Sequence, residues 1–276
     1  MAKIISLVEN RSECGCRTSH ALSLYVETHQ HRLLFDVGGD YDVLVENAER
    51  LGVDLLSIDT VIISHGHKDH GGALAPFLEL NSVAKVYVQR AAFRPHFSLR
   101  ASGMADIGLD PKLMECDRVV LLDGDTEIDS ELALFKVTDS SICPSGANAS
   151  LYEGSSPDHF DHEQNLIIGG EQPILIMGCG HNGVVNIMER AREYSPQLCI
   201  GGFHLTSPSA KRDEPRELID SIIARLKDFP QIKFYTCHCT GEAVYEYMRS
   251  QMSNISYLSC GERLEITNTS EATETK

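Results

Sequence analysis

Ser64-His65-Gly66-His67-Lys68-Asp69-His70-Gly71-Gly72 places three imidazoles and one carboxylate within six residues and follows them with two glycines. Neutral imidazoles and a carboxylate suit borderline cations such as zinc, iron, manganese or cobalt. The β-branched run Thr60–Ser64 reads as a short strand, so the histidines arrive at a strand's carboxyl end. The glycines let the chain turn tightly, and alternate residues can then face two neighbouring metal positions. A solvated polar turn seldom combines three histidines and an aspartate at this spacing, so the segment reads as a metal site.

Working outward, strand-like and helix-like segments alternate. Ile4–Val8, Leu22–Glu27 and Arg32–Asp36 read as strands. Tyr41–Leu51 has helical spacing of Val43, Leu44, Ala48 and Leu51 and stops at Gly52. A helix begins in Ala73–Leu78, and Lys85–Gln89 is another strand. Residues 90–165 offer only Val119–Leu122 and Leu132–Val137 as strands; the rest lacks periodicity and reads as an insertion facing the substrate. Beyond it, strands at Leu166–Ile168, Ile174–Met177, Leu198–Gly201, Lys233–Cys237, Ile255–Leu258 and Arg263–Ile266 alternate with helices at Val184–Tyr194, Pro215–Lys227 and Glu242–Met252. The pattern predicts one α/β (α+β) domain over 1–266, two sheets covered by helices, and a polar tail over 267–276.

The 276 residues carry a formal net charge of −16, which argues against binding a phosphate backbone and so against a nuclease. No run of about 18 apolar residues is present to span a membrane, and the start Met1-Ala-Lys-Ile-Ile-Ser is too short and polar for a secretory signal. These features predict a cytoplasmic protein acting on a small molecule, without nucleic acid or membrane; a homodimer is compatible with them. The nine cysteines are an odd number and read as reduced thiols. Neither Cys14-Gly-Cys16 nor Cys237-His-Cys239 has a repeated CxxC spacing, so thiolate metal binding is disfavoured.

The His65–His70 segment resembles the first metal motif of the metallo-β-lactamase superfamily. Leu33-Leu34-Phe35-Asp36-Val37-Gly38 is similar to the superfamily's strand ending in an Asp-x-Gly turn. The resemblance implies a four-layer αββα sandwich, with Asp36 supporting the metal ligands. Gly178-Cys179-Gly180-His181-Asn182-Gly183 resembles the second motif, and Cys237-His238-Cys239-Thr240-Gly241 falls where the last histidine belongs. By resemblance, His65, His67 and His181 would hold one metal, and Asp69, His70 and His238 a second. Two divalent ions are implied, zinc first, with manganese or iron as alternatives. The second is the less secure, because Gly201-Gly202-Phe203-His204 stands where hydrolases of this superfamily carry a bridging aspartate.

These motifs, with Asp161-His162-Glu163-Gln164-Asn165-Leu166, resemble the branch named for dihydropterin ribofuranosylaminobenzene-phosphate synthase. That branch implies hydrolysis, or a related transfer, by a metal-activated water on a phosphorylated or ester-type metabolite. Asp69 would accept a proton, and His204 would protonate the leaving group. Asp161 and Glu163 are candidates for orienting metal ligands. A non-hydrolytic iron-binding redox or sensor protein of the same fold is the alternative, suggested by Cys179, Cys237 and Cys239 beside the ligand histidines.

Overall fold

The strand Thr60–Ile62 lies between the parallel strands Arg32–Phe35 and Lys85–Gln89 in the computed structural model, which describes residues 2–207, 212–266 and 273–275. These strands belong to the first of two compact units, built from residues 1–94, 108–124 and 258–276. Its eight-stranded sheet runs Thr273–Thr275, Arg263–Ile266, Ala2–Val8, Ser23–Glu27, Arg32–Phe35, Thr60–Ile62, Lys85–Gln89, Val119–Leu122. Neighbours are antiparallel up to Arg32–Phe35 and parallel beyond it. Parallel neighbours need crossovers. Helix α1 (Tyr41–Leu51) supplies one, and the short α2 (Lys68–Gly71) with α3 (Leu74–Leu80) supplies the next.

Helix α1 starts where the Asp40 carboxylate accepts hydrogen bonds from the Asp42 and Val43 amides, and it ends at Gly52 in the left-handed conformation. Its apolar stripe of Val43, Leu44 and Ala48 packs in one core with Ile5, Leu7, Leu34, Val61 and Phe77. The opposite sheet face is equally buried, through Ile4, Leu24, Val26, Leu33, Phe35 and Ile62. A sheet apolar on both faces explains why these strands read as continuous hydrophobic runs rather than alternations.

The second unit comprises residues 95–107 and 125–257. Its seven-stranded sheet runs Ile255–Tyr257, Lys233–Thr236, Leu198–Gly201, Ile174–Ile176, Asn165–Ile168, Leu132–Phe135, Thr126–Glu127. The first four strands are mutually parallel. They are connected through α4 (Val184–Ala191), α5 (Arg216–Leu226) and α6 (Glu242–Gln251), whose apolar faces share a core with Phe135, Leu175, Cys199 and Phe234.

The segment 90–165, unreadable by periodicity, is divided between the two units. Val119–Leu122 completes the first sheet and Leu132–Phe135 enters the second. Much of the remainder forms a separate antiparallel sheet of Ser156–Pro157, Leu151–Glu153, His96–Arg100 and Gly103–Asp106. Strands of two to five residues with little apolar content leave no usable period. In the C-terminal tail, Thr273–Thr275 pairs with Arg263–Glu265, while 267–272 and 276 lie outside the described residues. Among the described residues no helix is long and apolar enough to cross a membrane.

The turn before Lys85–Gln89 depends on one buried amide. Asn81 Nδ2 donates to the carbonyls of Leu55 and Ile58, and its Oδ1 accepts from the Val83 and Ala84 amides. Replacing it strands buried backbone groups, each costing about 1–3 kcal/mol. Asn81→Ala should therefore lower stability in denaturant titration by about 3 kcal/mol or more while leaving metal content per folded chain unchanged.

Candidate metal centre

In the first unit, parallel pairing sets the carboxyl ends of Arg32–Phe35 and Thr60–Ile62 side by side, so Asp36 and Ser64 meet. Asp36 adopts a left-handed backbone with φ 58°, a conformation uncommon without glycine. Its Oδ1 accepts from the Ser64 amide at 2.7 Å, and its Oδ2 accepts from the Ser64 hydroxyl at 2.7 Å and from His70 Nδ1 at 2.6 Å. The Ser64 oxygen, its own proton given to Asp36, lies 2.8 Å from His65 Nδ1 and accepts from it. The network thus protonates Nδ1 of both His65 and His70 and presents Nε2 as the donor atom of each.

The imidazoles converge: the His65 ring centroid lies 4.6 Å from that of His67 and 4.1 Å from that of His70. Asp69 Oδ2 lies 3.8 Å from His70 Nε2 and 3.8 Å from Nε2 of His20. His20 carries no signal in the sequence, because it stands outside the motif and is joined to Asp69 only by the fold. Gly72 is obligatory here, since a Cβ would lie 2.5 Å from the Lys68 carbonyl oxygen and 2.9 Å from that of Gly39.

In the second unit, Ile174–Ile176 delivers the loop Met177–Gly183, and Glu163 holds that loop by its backbone. Glu163 Oε1 accepts from the His181 amide at 2.7 Å, while Oε2 accepts from the Asn182 amide and side chain, both at 2.9 Å. Burial pushes the Glu163 carboxyl up, against the pull of these hydrogen bonds. Asp161 is exposed, and its charge acts on His162. The imidazole of His181 is set by Asn148, whose Oδ1 lies 3.0 Å from Nδ1 and whose Nδ2 donates to the His181 carbonyl at 2.8 Å. Phe160 stacks flat on the same ring at 4.4 Å. Asn148 lies in the aperiodic segment, where no sequence signal marks it.

His204 lies 4.1 Å from His181 between ring centroids, and His204, His181 and Cys179 bring donor atoms within 4.8 Å of one another. His238, Cys179 and Cys239 do likewise. His204 and His238 both hold left-handed backbones, with φ 49° and 51°. Strain of about 1–3 kcal/mol each persists only where surrounding structure imposes it. Both ring nitrogens of His204 are buried without a hydrogen bond among the described residues, at a cost of about 1–3 kcal/mol for each unsatisfied group. A cation or substrate atom would relieve that cost. Within each unit the donors are of the kind a divalent ion takes: oriented imidazoles with the Asp69 carboxylate in the first, and His181, His204 and Cys179 in the second.

A family model described as the metallo-β-lactamase superfamily matches residues 17–193. The chain belongs to that superfamily. It is 29% identical to an uncharacterized protein, MJ0448, of Methanocaldococcus jannaschii over 268 residues, covering 91% of this chain and 95% of that one. It is 26% identical over 259 residues to the same organism's 7,8-dihydropterin-6-methyl-4-(β-D-ribofuranosyl)-aminobenzene-5'-phosphate synthase, covering 81% of this chain and 82% of that one. The solved structure of Tm1679, described as a metal-dependent hydrolase of the β-lactamase superfamily, superposes with a TM-score of 0.80 at 26% identity, covering 97% of this chain and all of that one. The chain therefore has the metallo-β-lactamase fold.

Gly201 and Gly202, which stand where the resemblance led us to expect a bridging aspartate, are both tightly enclosed. At Gly201 a Cβ would stand 2.2 Å from the Met177 carbonyl oxygen, and at Gly202 it would stand 2.4 Å from the Cys239 sulfur. The space for a longer side chain is already filled. Burial pushes the Cys239 thiol up, but its contacts with Cys179 and His204 and the charges of His238 and His204 outweigh that and lower it well below the ordinary thiol range.

A buried triad in the second unit joins His162, from the quoted 161–166 segment, to His96 and Asp158, which no sequence signal marks. Asp158 Oδ2 accepts from His96 Nδ1 at 2.9 Å and from His162 Nε2 at 3.2 Å, with all three side chains fully buried. Burial would raise the Asp158 carboxyl, yet the two imidazoles outweigh it and hold the group far below the usual carboxylate range. Burial lowers His162 from its ordinary 6.5.

These shifts predict acid lability. A histidine held neutral in the fold takes up its proton more readily when unfolded, so stability falls as pH drops below about 6.5. The contribution of Asp158 is present above its ordinary 3.8 and is lost as pH falls further. Melting temperature of the chelated protein should decline from pH 7 to 5 and again below 4, and His162→Gln should flatten the first decline. Ser64→Ala and Asn148→Ala should each weaken metal affinity by about 10–100-fold, read by competition with a chelating dye.

Proposed function

We propose that the protein is a metal-dependent hydrolase, or a closely related transferase, acting on a small phosphorylated or ester-type metabolite. The observation that carries this reading is the pair of orienting networks, Asp36–Ser64 around His65 and His70 and Glu163–Asn148 around His181. Metal-ligating histidines are held through the ring nitrogen that does not face the ion, and the His65, His70 and His181 rings are each held at Nδ1 in this way. Following the order of motifs in the superfamily, His65, His67 and His181 would hold one divalent ion and Asp69, His70 and His238 a second, with zinc the first expectation. Such ions, when bound, lower the pKa of a coordinated water and polarise the attacked carbonyl or phosphoryl oxygen.

The protein's own groups do the rest. Asp69 keeps part of its carboxylate surface open to solvent, so it can pass on a proton as the attacking water is deprotonated. His204 lies beside His181 with two unsatisfied nitrogens and is suited to give a proton to the leaving oxygen. The likeness to a synthase whose named product carries a 5'-phosphate supports a phosphorylated substrate. The acidic chain as a whole speaks against polynucleotides.

Elemental analysis of the purified protein, joined to a panel of phosphate esters, carboxylic esters and lactones, tests this. Turnover should accompany bound divalent metal, vanish on chelation and return on reloading. His67→Ala should lose bound metal and at least about a hundredfold in activity together; undiminished turnover in that variant after metal stripping overturns the reading. His204→Gln should keep its metal and lower kcat by about a hundredfold on substrates with poor leaving groups, sparing activated esters.

A further inference from the structure

Cys14 and Cys16 meet Cys260, from the far end of the chain, in the first unit, away from the motifs described above. A backbone strap makes the meeting: Ser12 and Cys260 form a parallel bridge, the Cys260 amide donates to the Arg11 carbonyl at 2.8 Å, and Ser12 Oγ donates to the Cys260 carbonyl at 3.2 Å. On this strap the sulfurs of Cys14 and Cys16 lie 3.3 Å apart, and Cys14 Sγ lies 3.5 Å from the Cys260 carbonyl oxygen. The Cys260 thiol neighbours that of Cys16 and accepts a 3.5 Å contact from Asn47 Nδ2. Gly261 creates the opening for these sulfurs. A Cβ there would stand 2.1 Å from Cys14 Sγ and 3.2 Å from Cys16 Sγ, and its φ of +92° already favours glycine.

We propose that Cys14, Cys16 and Cys260 form a binding site for a thiophilic cation of the zinc and copper(I) class, separate from the His65–His70 motif. Three sulfurs of one cluster offer the ligand set such ions prefer. Burial pushes the Cys16 thiol up, and burial together with the neighbouring Cys16 and Cys14 pushes Cys260 up as well. A cation placed among the sulfurs supplies the positive charge that lets them bind as thiolates. Binding forms three sulfur–metal bonds and releases three thiol protons to solvent, with no oxidant consumed. The Cys260 thiol gives up its hydrogen bond to the Leu7 carbonyl and keeps the Asn47 donor, which suits a thiolate. Ser12 Oγ, 3.6 Å from Cys14 Sγ, or water would complete a fourth position. Cys14 is exposed and gives the ion its entry.

The test is a titration of the full-length protein with cadmium under anaerobic, reducing conditions, after its histidine centre has been loaded with zinc. The sulfur-to-cadmium absorption should saturate at about one equivalent per chain. It should lose about two thirds of its intensity in the Cys14→Ser, Cys16→Ser double variant and about one third in Cys14→Ser alone. Cys14 is exposed, so the single variant keeps the experiment decisive if the double variant folds poorly. An unchanged band in Cys14→Ser would assign the signal to cysteines beside His238 and overturn the proposal. So would mass spectrometry showing a Cys14–Cys16 disulfide with no uptake of cadmium by the reduced protein. Neither outcome bears on hydrolysis at the histidine centre.

Discussion

The Asp36 carboxylate is the interaction on which the histidine motif of the first unit depends. It is wholly buried and takes hydrogen bonds from the Ser64 amide, the Ser64 hydroxyl and His70. A buried carboxylate without such partners would carry a large desolvation cost. The same three bonds tie two parallel strand ends together and fix the proton positions of two imidazoles. Aspartate at a left-handed position is tolerated because its surroundings determine it fully, and a shorter or longer side chain could not serve both the backbone and the ring. Strand pairing, loop geometry and ligand chemistry thus rest on one side chain.

The second unit solves the same problem differently. Glu163 grips the backbone amides of His181 and Asn182 rather than an imidazole, and the ring is turned instead by the neutral amide of Asn148. The ring of His181 is thus met by an amide and that of His70 by a carboxylate. A carboxylate raises the basicity of its imidazole more than an amide does, so the two histidines differ in donor strength.

Much of the centre is legible in the sequence because its ligands are compressed. Four donors in six residues at a strand end rarely serve anything but a cation, and the Asp-x-Gly turn and the later Gly-Cys-Gly-His-Asn-Gly loop follow in the family's order. What stays hidden depends on long-range approach. Asn148 and the His96–Asp158–His162 triad lie among short polar strands that carry no hydrophobic period. His20 reaches Asp69 only through folding. Cys14 and Cys16 read as incidental for want of a second cysteine pair; their third partner comes from the other end of the chain as a single residue. Spacing rules find sites made within one loop and miss those made by a strap between distant ones.

The same logic explains why the bridging carboxylate cannot simply be restored. The departure at Gly201-Gly202 looks, on sequence, like the loss of one side chain. In the fold it is one side of a packing exchange, because the Cys239 sulfur occupies the space into which a Gly202 side chain would grow. A carboxylate at that position would need both a smaller residue at 239 and room beside the carbonyl oxygens of Met177 and Gly178, which crowd the two glycines. Glycine and cysteine therefore form a linked pair, and neither changes alone without a clash or a cavity. The histidine at 204, held left-handed beside His181 with two unsatisfied nitrogens, is what this arrangement supplies in place of the carboxylate. A neutral imidazole has a single lone pair to give, so the side chain at 204 does not reproduce the bridging geometry of a carboxylate.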